Sequence, residues 1–267
     1  MIGIIVGTSE GKELLKGLNE FTEDIFVSTA TTYGGDLLKE YKYKVLNTKP
    51  LNKKELEEKL KELDIKLLVD ASHPYAVEVS KNLIEVCSKL NIIYLRYERK
   101  GILEEFRECT HINIVSNFEE LEKKLKIFEG TILNTTGSKS AEKILKMNLK
   151  NRVIHRVLPS IEVMKKLIEL GIGPDDIIAL KGSHSEEFNR ACLKEFNCKG
   201  IIMKDSGREG GTREKIMAAL KEEVEIFVID KEQIKYPKAF YDLSELVSFI
   251  KYRHNLKNSR KEEFFFS

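Results

Sequence analysis

The chain has 267 residues, 42% hydrophobic and 33% charged, which is enough for two α/β domains of modest size. A formal net charge of +2 excludes a global basic field for nucleic acid, so any anion must be recognised by a local cluster. Four widely spaced cysteines (Cys87, Cys109, Cys192 and Cys198) without a C-x-x-C pair argue against a metal site or disulfide framework and for free thiols in a reducing compartment.

The apolar run at residues 1–6 is short, lacks a basic leader and passes directly into Gly7, so it reads as a buried first strand and not a signal peptide. No apolar run reaches bilayer length, and a cytoplasmic protein with no membrane or nucleic-acid partner is expected. Strands are expected at 3–6, 24–27, 44–46, 66–69 and 92–95, then at 112–115, 131–134, 152–157, 177–180, 200–203 and 225–229. Runs apolar on successive residues suit strands covered on both faces, as in a parallel sheet. Helical spacing separates them. Leu56, Leu60 and Leu63 share one face of 53–63, and Val79, Leu83, Val86 and Leu90 share one face of 76–90, with shorter versions at 162–170 and 214–219. The alternation predicts an α/β chain of mainly parallel sheets. So many strands exceed one open sheet, and we divide the chain into two doubly wound, Rossmann-like domains, 1–125 and 126–252. The remaining 253–267, ending in Phe264-Phe-Phe, is expected to be a disordered tail. No short-period repeat is visible, and the sequence does not show whether the halves share a topology.

Ligands of open parallel sheets bind outside the carboxyl ends of the strands, so the residues just after the apolar runs carry the chemistry. After the first run stands Gly7-Thr8-Ser9-Glu10-Gly11-Lys12, small and hydroxyl residues at a helix start that suit a phosphate. It matches neither G-x-G-x-x-G nor a P-loop, and a plain capped turn is the other reading. After the second run come Ser28 and Thr29, then Tyr33 and Gly34, with no acid at the strand end; that favours NADP over NAD, against a polar loop. After the fourth run come Asp70-Ala-Ser-His73-Pro74-Tyr75, where proline holds His73 outside the helix; helix capping by Ser72 or Asp70 is the alternative. The fifth run ends in Arg96-Tyr-Glu-Arg99. Arg96 and Glu98 share a face, as an internal ion pair or with Arg96 free to bind a carboxylate. The second half offers Thr135-Thr136-Gly137-Ser138-Lys139, then Lys181-Gly182-Ser-His184-Ser185. It ends with Lys204-Asp205-Ser206-Gly207-Arg208-Glu209-Gly210-Gly211-Thr212, where clustered glycines suit close approach to a ligand.

Taken together these residues resemble the precorrin-6A reductase family, including its cobalt-precorrin members. The likeness runs from Gly7-Thr8 through Thr29 to Gly34, Asp70 to Tyr75, and Arg96 to Arg99. It continues through Thr136-Gly137, Ser185 to Glu187 with Asn189-Arg190, and Lys204 to Gly207 with Gly210 to Thr212, in family order over residues 1 to about 230. Two departures stand out: Gly182-Ser-His-Ser185 replaces a common Gly-Pro-Phe-Ser, and Arg208-Glu209 replace smaller residues. The resemblance implies NADPH-dependent reduction of one ring double bond of (cobalt-)precorrin-6A to (cobalt-)precorrin-6B in cobalamin biosynthesis, with neighbouring enzymes of that pathway as further partners. It also implies two nucleotide-binding-like domains, with the boundary blurred if an element is exchanged.

With that reading, Gly7, Thr8, Ser9, Glu10, Gly11, Lys12, Thr29, Tyr33 and Gly34 are expected to hold the cofactor. Tyr75, Arg96, Arg99, Thr136, Gly137, Ser138, Ser185, Asp205, Ser206, Gly207, Gly210 and Gly211 are expected to hold the tetrapyrrole. Lys204 and His73 are the expected proton donors, and no metal is expected. Two other classes compete. A short-chain dehydrogenase needs Tyr-x-x-x-Lys, whereas Tyr75 and Lys81 stand six apart. A nucleotide-sensing module explains Gly7–Gly11 but leaves His73, Arg96 and the 207–211 glycines without work.

Overall fold

The computed structural model describes residues 1–7, 10–106 and 108–265, of which 256–265 are described as backbone only. The chain divides into two compact units, residues 1–99 with 233–267, and residues 100–232. Among the described residues no helix is long and apolar enough to cross a membrane.

The first unit begins with β1 (Ile2–Val6), α1 (Glu10–Leu18), β2 (Ile25–Ser28), α2 (Thr32–Asp36) and β3 (Val45–Asn47). It continues with α3 (Lys53–Glu62), β4 (Leu67–Ala71), α4 (Val77–Lys89) and β5 (Ile93–Tyr97). The strands form because they are covered on both faces: β2 and β4 are buried at every position. α3 starts in a capping box, Asn52 accepting from the amides of Lys54 and Glu55 while Glu55 accepts from the Asn52 amide. Its Leu56 and Leu60 face inward.

The second unit opens with a 3-10 turn (Leu103–Phe106). Then come β6 (Ile112–Val115), α5 (Phe118–Lys126), β7 (Thr131–Asn134), α6 (Ser138–Leu145), β8 (Val153–Val157) and α7 (Ile161–Glu169). β9 (Ile177–Ala179), α8 (Glu186–Glu195), β10 (Cys198–Lys204), α9 (Thr212–Lys221) and β11 (Glu225–Ile229) complete it. The chain then returns to the first unit with β12 (Ala239–Phe240) and α10 (Leu243–Phe265).

Both sheets are six-stranded, and every pairing in them is parallel. The first runs β3-β2-β1-β4-β5-β12, the doubly wound order of a dinucleotide fold, with a late strand in sixth place. The second runs β9-β8-β7-β10-β11-β6, the same winding begun at β7, with an early strand in sixth place. The halves therefore share a topology that the sequence does not display.

The fold class is as expected, but the divisions differ from the expected 125/126 and 252/253. β6 hydrogen-bonds to β11, and α5 packs through Leu121 and Leu125 into a core with Phe227 and Ile229, so residues 112–126 belong to the second unit. In the other direction the amides of Arg96 and Glu98 donate to the carbonyls of Lys238 and Phe240, at 2.8 Å each, and fix β12 on β5. Leu246 and Ile250 of α10 then join Leu14, Leu15 and Leu18 in the first core. The tail expected to be disordered starts within α10, whose described backbone runs to residue 265.

Candidate active site

In a doubly wound sheet the ligand crevice opens where connections from neighbouring strands leave to opposite faces. That point lies between β1 and β4 in the first unit and between β7 and β10 in the second.

At the first point the Gly7 amide donates to the Ala71 carbonyl at 3.1 Å, joining the glycine turn to the loop that carries His73. Gly11 lets α1 lie close to β1, since a Cβ there would stand 3.2 Å from Val6 and Leu38. Lys12 is half-buried one residue on. Thr8 and Ser9 lie outside the described residues. Glu10 opens α1 and is buried in an ion pair with Arg99, whose Nε donates to it. Arg99, expected to meet substrate away from the glycine turn, therefore braces that turn. At the second strand end Thr29 is buried, and its hydroxyl donates to the carbonyl of Thr31 at 2.9 Å. Thr31 caps α2 by accepting from the Gly34 amide, while Tyr33 is 44% exposed. Thr29 thus shapes the loop, and its hydroxyl is already engaged.

Arg96 requires a larger correction. It is fully buried, and its guanidinium donates to Asp70 Oδ1 and Glu98 Oε2, both at 2.8 Å, and to Ser72 Oγ at 3.1 Å. The Tyr236 ring lies 5.3 Å from its Cζ. Asp70 also accepts from Ser80 Oγ at 2.6 Å, Tyr94 Oη at 2.7 Å and the Ser72 amide at 3.0 Å. Burial, aided by the Asp70 carboxylate, pushes the Tyr94 hydroxyl above the usual tyrosine range, so it remains a donor. The internal ion pair is the alternative realised here, and Arg96 holds the His73 loop in place. The capping alternative for Ser72 and Asp70 is not realised, because Ala76 stands at the start of α4 without a side-chain bond. His73 is exposed, its Nδ1 accepting from the Tyr75 amide at 3.2 Å, and the half-buried Tyr75 ring lies 6.0 Å away.

At the second point Asn134 ends β7 and accepts from both the amide and the hydroxyl of Thr136, at 3.0 and 2.5 Å. Its amide nitrogen faces Nδ1 of buried His155 at 3.0 Å, which makes that nitrogen the acceptor. Burial lowers the His155 pKa to about 4 and keeps the ring neutral. Gly137 follows with φ +86°, open space at its Cβ position and no side-chain cap on α6, so the first amides of the helix, from Ser138 on, are not capped by a side chain. Lys204 ends β10 beside them, half-buried. Burial first, then the ammonium groups of Lys143 and Lys139, pull its pKa below the usual lysine range.

The glycine loop after Lys204 is tightly organised. Asp205, expected to meet substrate, accepts from the amides of Ile102 (2.9 Å), Leu103 (3.2 Å) and Gly207 (3.2 Å), so its carboxylate anchors the 3-10 turn. The Ser206 amide donates to the buried Thr212 hydroxyl at 3.1 Å. Gly210 has no room for a side chain, which would overlap Ser206, and Gly211 starts α9 in the left-handed region. Ser185 caps α8, accepting from the Phe188 amide at 3.3 Å, a structural role where a ligand contact was expected. The sequence reading missed Lys143, although its four-residue spacing from Lys139 puts both on one face of α6. It also missed the Asn134–His155 pair, whose only signal was a polar residue inside each of two apolar strands.

The precorrin-6x reductase CbiJ/CobK family model matches residues 1–251. The chain is 40% identical over 246 residues to a cobalt-precorrin-6A reductase of Methanocaldococcus jannaschii, covering 91% of this chain and 95% of that protein. It is 31% identical to the protein of the same name from Priestia megaterium, covering 92% and 96%. Among solved structures it resembles CobK precorrin-6A reductase with a TM-score of 0.74 at 15% identity, over 94% of this chain and 96% of that one.

Two outcomes test these assignments. Arg96→Ala should destabilise the protein by about 3–5 kcal/mol, because it leaves two buried carboxylates without their cation. Urea denaturation measures this, and an unchanged midpoint with a raised substrate KM would return Arg96 to the binding site. His155 takes a proton near pH 6.5 when unfolded and near 4 when folded, so its contribution is complete above about pH 6.5 and lost as pH falls to 4. The loss amounts to about 3 kcal/mol. His155→Gln should flatten that limb of the stability–pH curve; an identical limb would acquit the residue.

Proposed function

From the premise that the chain belongs to the precorrin-6x reductase family, we propose that it reduces one ring double bond of cobalt-precorrin-6A to give cobalt-precorrin-6B, with NADPH as the reductant. It is an oxidoreductase of cobalamin biosynthesis acting on a CH–CH unit of a tetrapyrrole, a chemistry that takes a reduced nicotinamide. When bound, that cofactor supplies the hydride. The residues of the first unit fit it in three respects. The winding is that of a dinucleotide fold, Gly7 puts no side chain into the turn, and Arg99 neutralises Glu10, the first residue of α1. NADPH is favoured over NADH because no acid stands at the end of β2 and because Lys12 is present.

The observation that carries the proposal is Lys204. Adding hydride to a conjugated C=C or C=N leaves negative charge on the adjacent atom, and a proton must follow it. Lys204 stands at the β7/β10 mouth with its proton held less tightly than usual, so it donates that proton to the ring and is reloaded from solvent. The rim acetate and propionate groups are taken up by Lys139, Lys143 and the Ser138 amide at the start of α6, which no side chain caps. His73, exposed in the first unit, is the second candidate donor. Within the second unit, Gly207 and Gly211 complete the surface offered to substrate.

Calorimetric titration should show NADPH binding more tightly than NADH, and loss of NADPH absorbance should require cobalt-precorrin-6A. Equal affinities would refute the cofactor choice. Lys204→Met should lower turnover about a hundredfold with NADPH affinity intact. Near-normal turnover would transfer the proton to His73 or to water.

A further inference from the structure

Apart from the lysines at the α6 start, the second unit buries a second cationic cluster. Lys215, one turn into α9, is 9% exposed, and among the described residues it has neither a hydrogen bond nor an ion pair to its ammonium. Arg156 of β8 donates to Asn189 Oδ1 at 2.8 Å and has no carboxylate in ion-pair range among the described residues. Asn189 in turn donates to the carbonyls of His184 and Ser185, which fixes the 181–185 loop over this corner. His184 Nε2 is buried without a partner. The loop runs against the start of α9, where a Cβ on Gly211 would lie 2.9 Å from that of Ser183.

Buried charges are ordinarily paired. Here a guanidinium, an ammonium and an imidazole converge, and Arg156 makes both of the others harder to protonate. Burial first and then Arg156 lower Lys215 to about 8, against the weaker pull of Glu214 and Asp205. His184 is lowered by burial, then by Arg156 and Lys215. A core built only for stability would place apolar groups here, since a buried charge is often replaced by a hydrophobic residue without loss.

We infer that Arg156, His184 and Lys215 form an oxyanion-binding site, distinct from the α6 start, that takes a carboxylate or phosphate. Its occupant satisfies the ammonium of Lys215 and the Nε2 of His184 and removes the like-charge conflict. On the function proposed above, the anion is a carboxylate of the macrocycle rim; a phosphate of the nicotinamide cofactor offers the same oxygens.

The test uses the full chain and three probes: inorganic phosphate, NADPH with NADH as its control, and uroporphyrin, a tetrapyrrole bearing acetate and propionate groups. Phosphate should raise the melting temperature of the wild type and leave that of Lys215→Met unmoved, while without phosphate the variant melts no lower than the wild type. An equal phosphate response in both proteins overturns the site, as does a variant that melts several degrees lower, which would make the lysine structural. A loss of about tenfold or more for uroporphyrin alone assigns the site to a rim carboxylate. The same loss for NADPH but not NADH assigns it to the cofactor's 2′-phosphate. If the wild type responds to phosphate but binds neither NADPH nor uroporphyrin, the proposed function fails while the anion site stands.

Discussion

A parallel strand cannot turn back directly on its predecessor; the chain must cross over before it pairs again, here through a helix. Applied to every pairing of both sheets, this constraint sends each strand-to-helix loop to one edge of its sheet and leaves the opposite edge to returning connections. Gly7, His73, Thr136, Lys204 and the 207–211 glycines are scattered in sequence, yet each stands at the carboxyl end of a strand or in the loop that follows it. Their grouping within each unit follows from the winding, which also explains why the two halves offer comparable mouths despite unrelated loop sequences.

The winding leaves the loops to be fixed by polar networks, and the two units treat buried charge in opposite ways. In the first, Asp70, Arg96, Glu98, Tyr94 and Ser80 satisfy one another, so a fully buried guanidinium becomes a rigid support for the His73 loop. Arg99 and Glu10 repeat the device at the glycine turn. In the second unit Lys204 crowds Lys139 and Lys143, and Lys215 crowds Arg156. A network closed on itself stabilises the apo protein. Cations crowded together lower its stability, and an arriving anion relieves the crowding.

This difference also decides what could be read from the sequence. Strands were legible because burial on both faces leaves uninterrupted apolar runs, and the likeness over residues 1 to about 230 rested on loops that the sheets place at their mouths. β12 was not legible, since two residues carry no periodicity and its pairing on β5 depends on the chain's return from the second unit. The Arg96–Glu98 face could be read from alternation, but the decisive partner Asp70 lies across a strand register that no local pattern specifies. Asp205 looked like a ligand group because it follows a strand; its partners at 102 and 103 are about a hundred residues upstream. Lys215 gave no signal in the sequence, since helical periodicity does not reveal that α9 turns that side toward Arg156.

The lysine group at the β7/β10 mouth gives the proposed chemistry an order of events. With no anion present, Lys139 and Lys143 repel the charge on Lys204 and weaken its hold on a proton. A carboxylate settling on either neighbour cancels that repulsion, so the proton affinity of Lys204 rises as substrate binds. On the proposed function the acid holds its proton more firmly once the molecule it will protonate is bound. Once the ring carries the new charge, that charge draws the proton from Lys204, and solvent restores it afterwards.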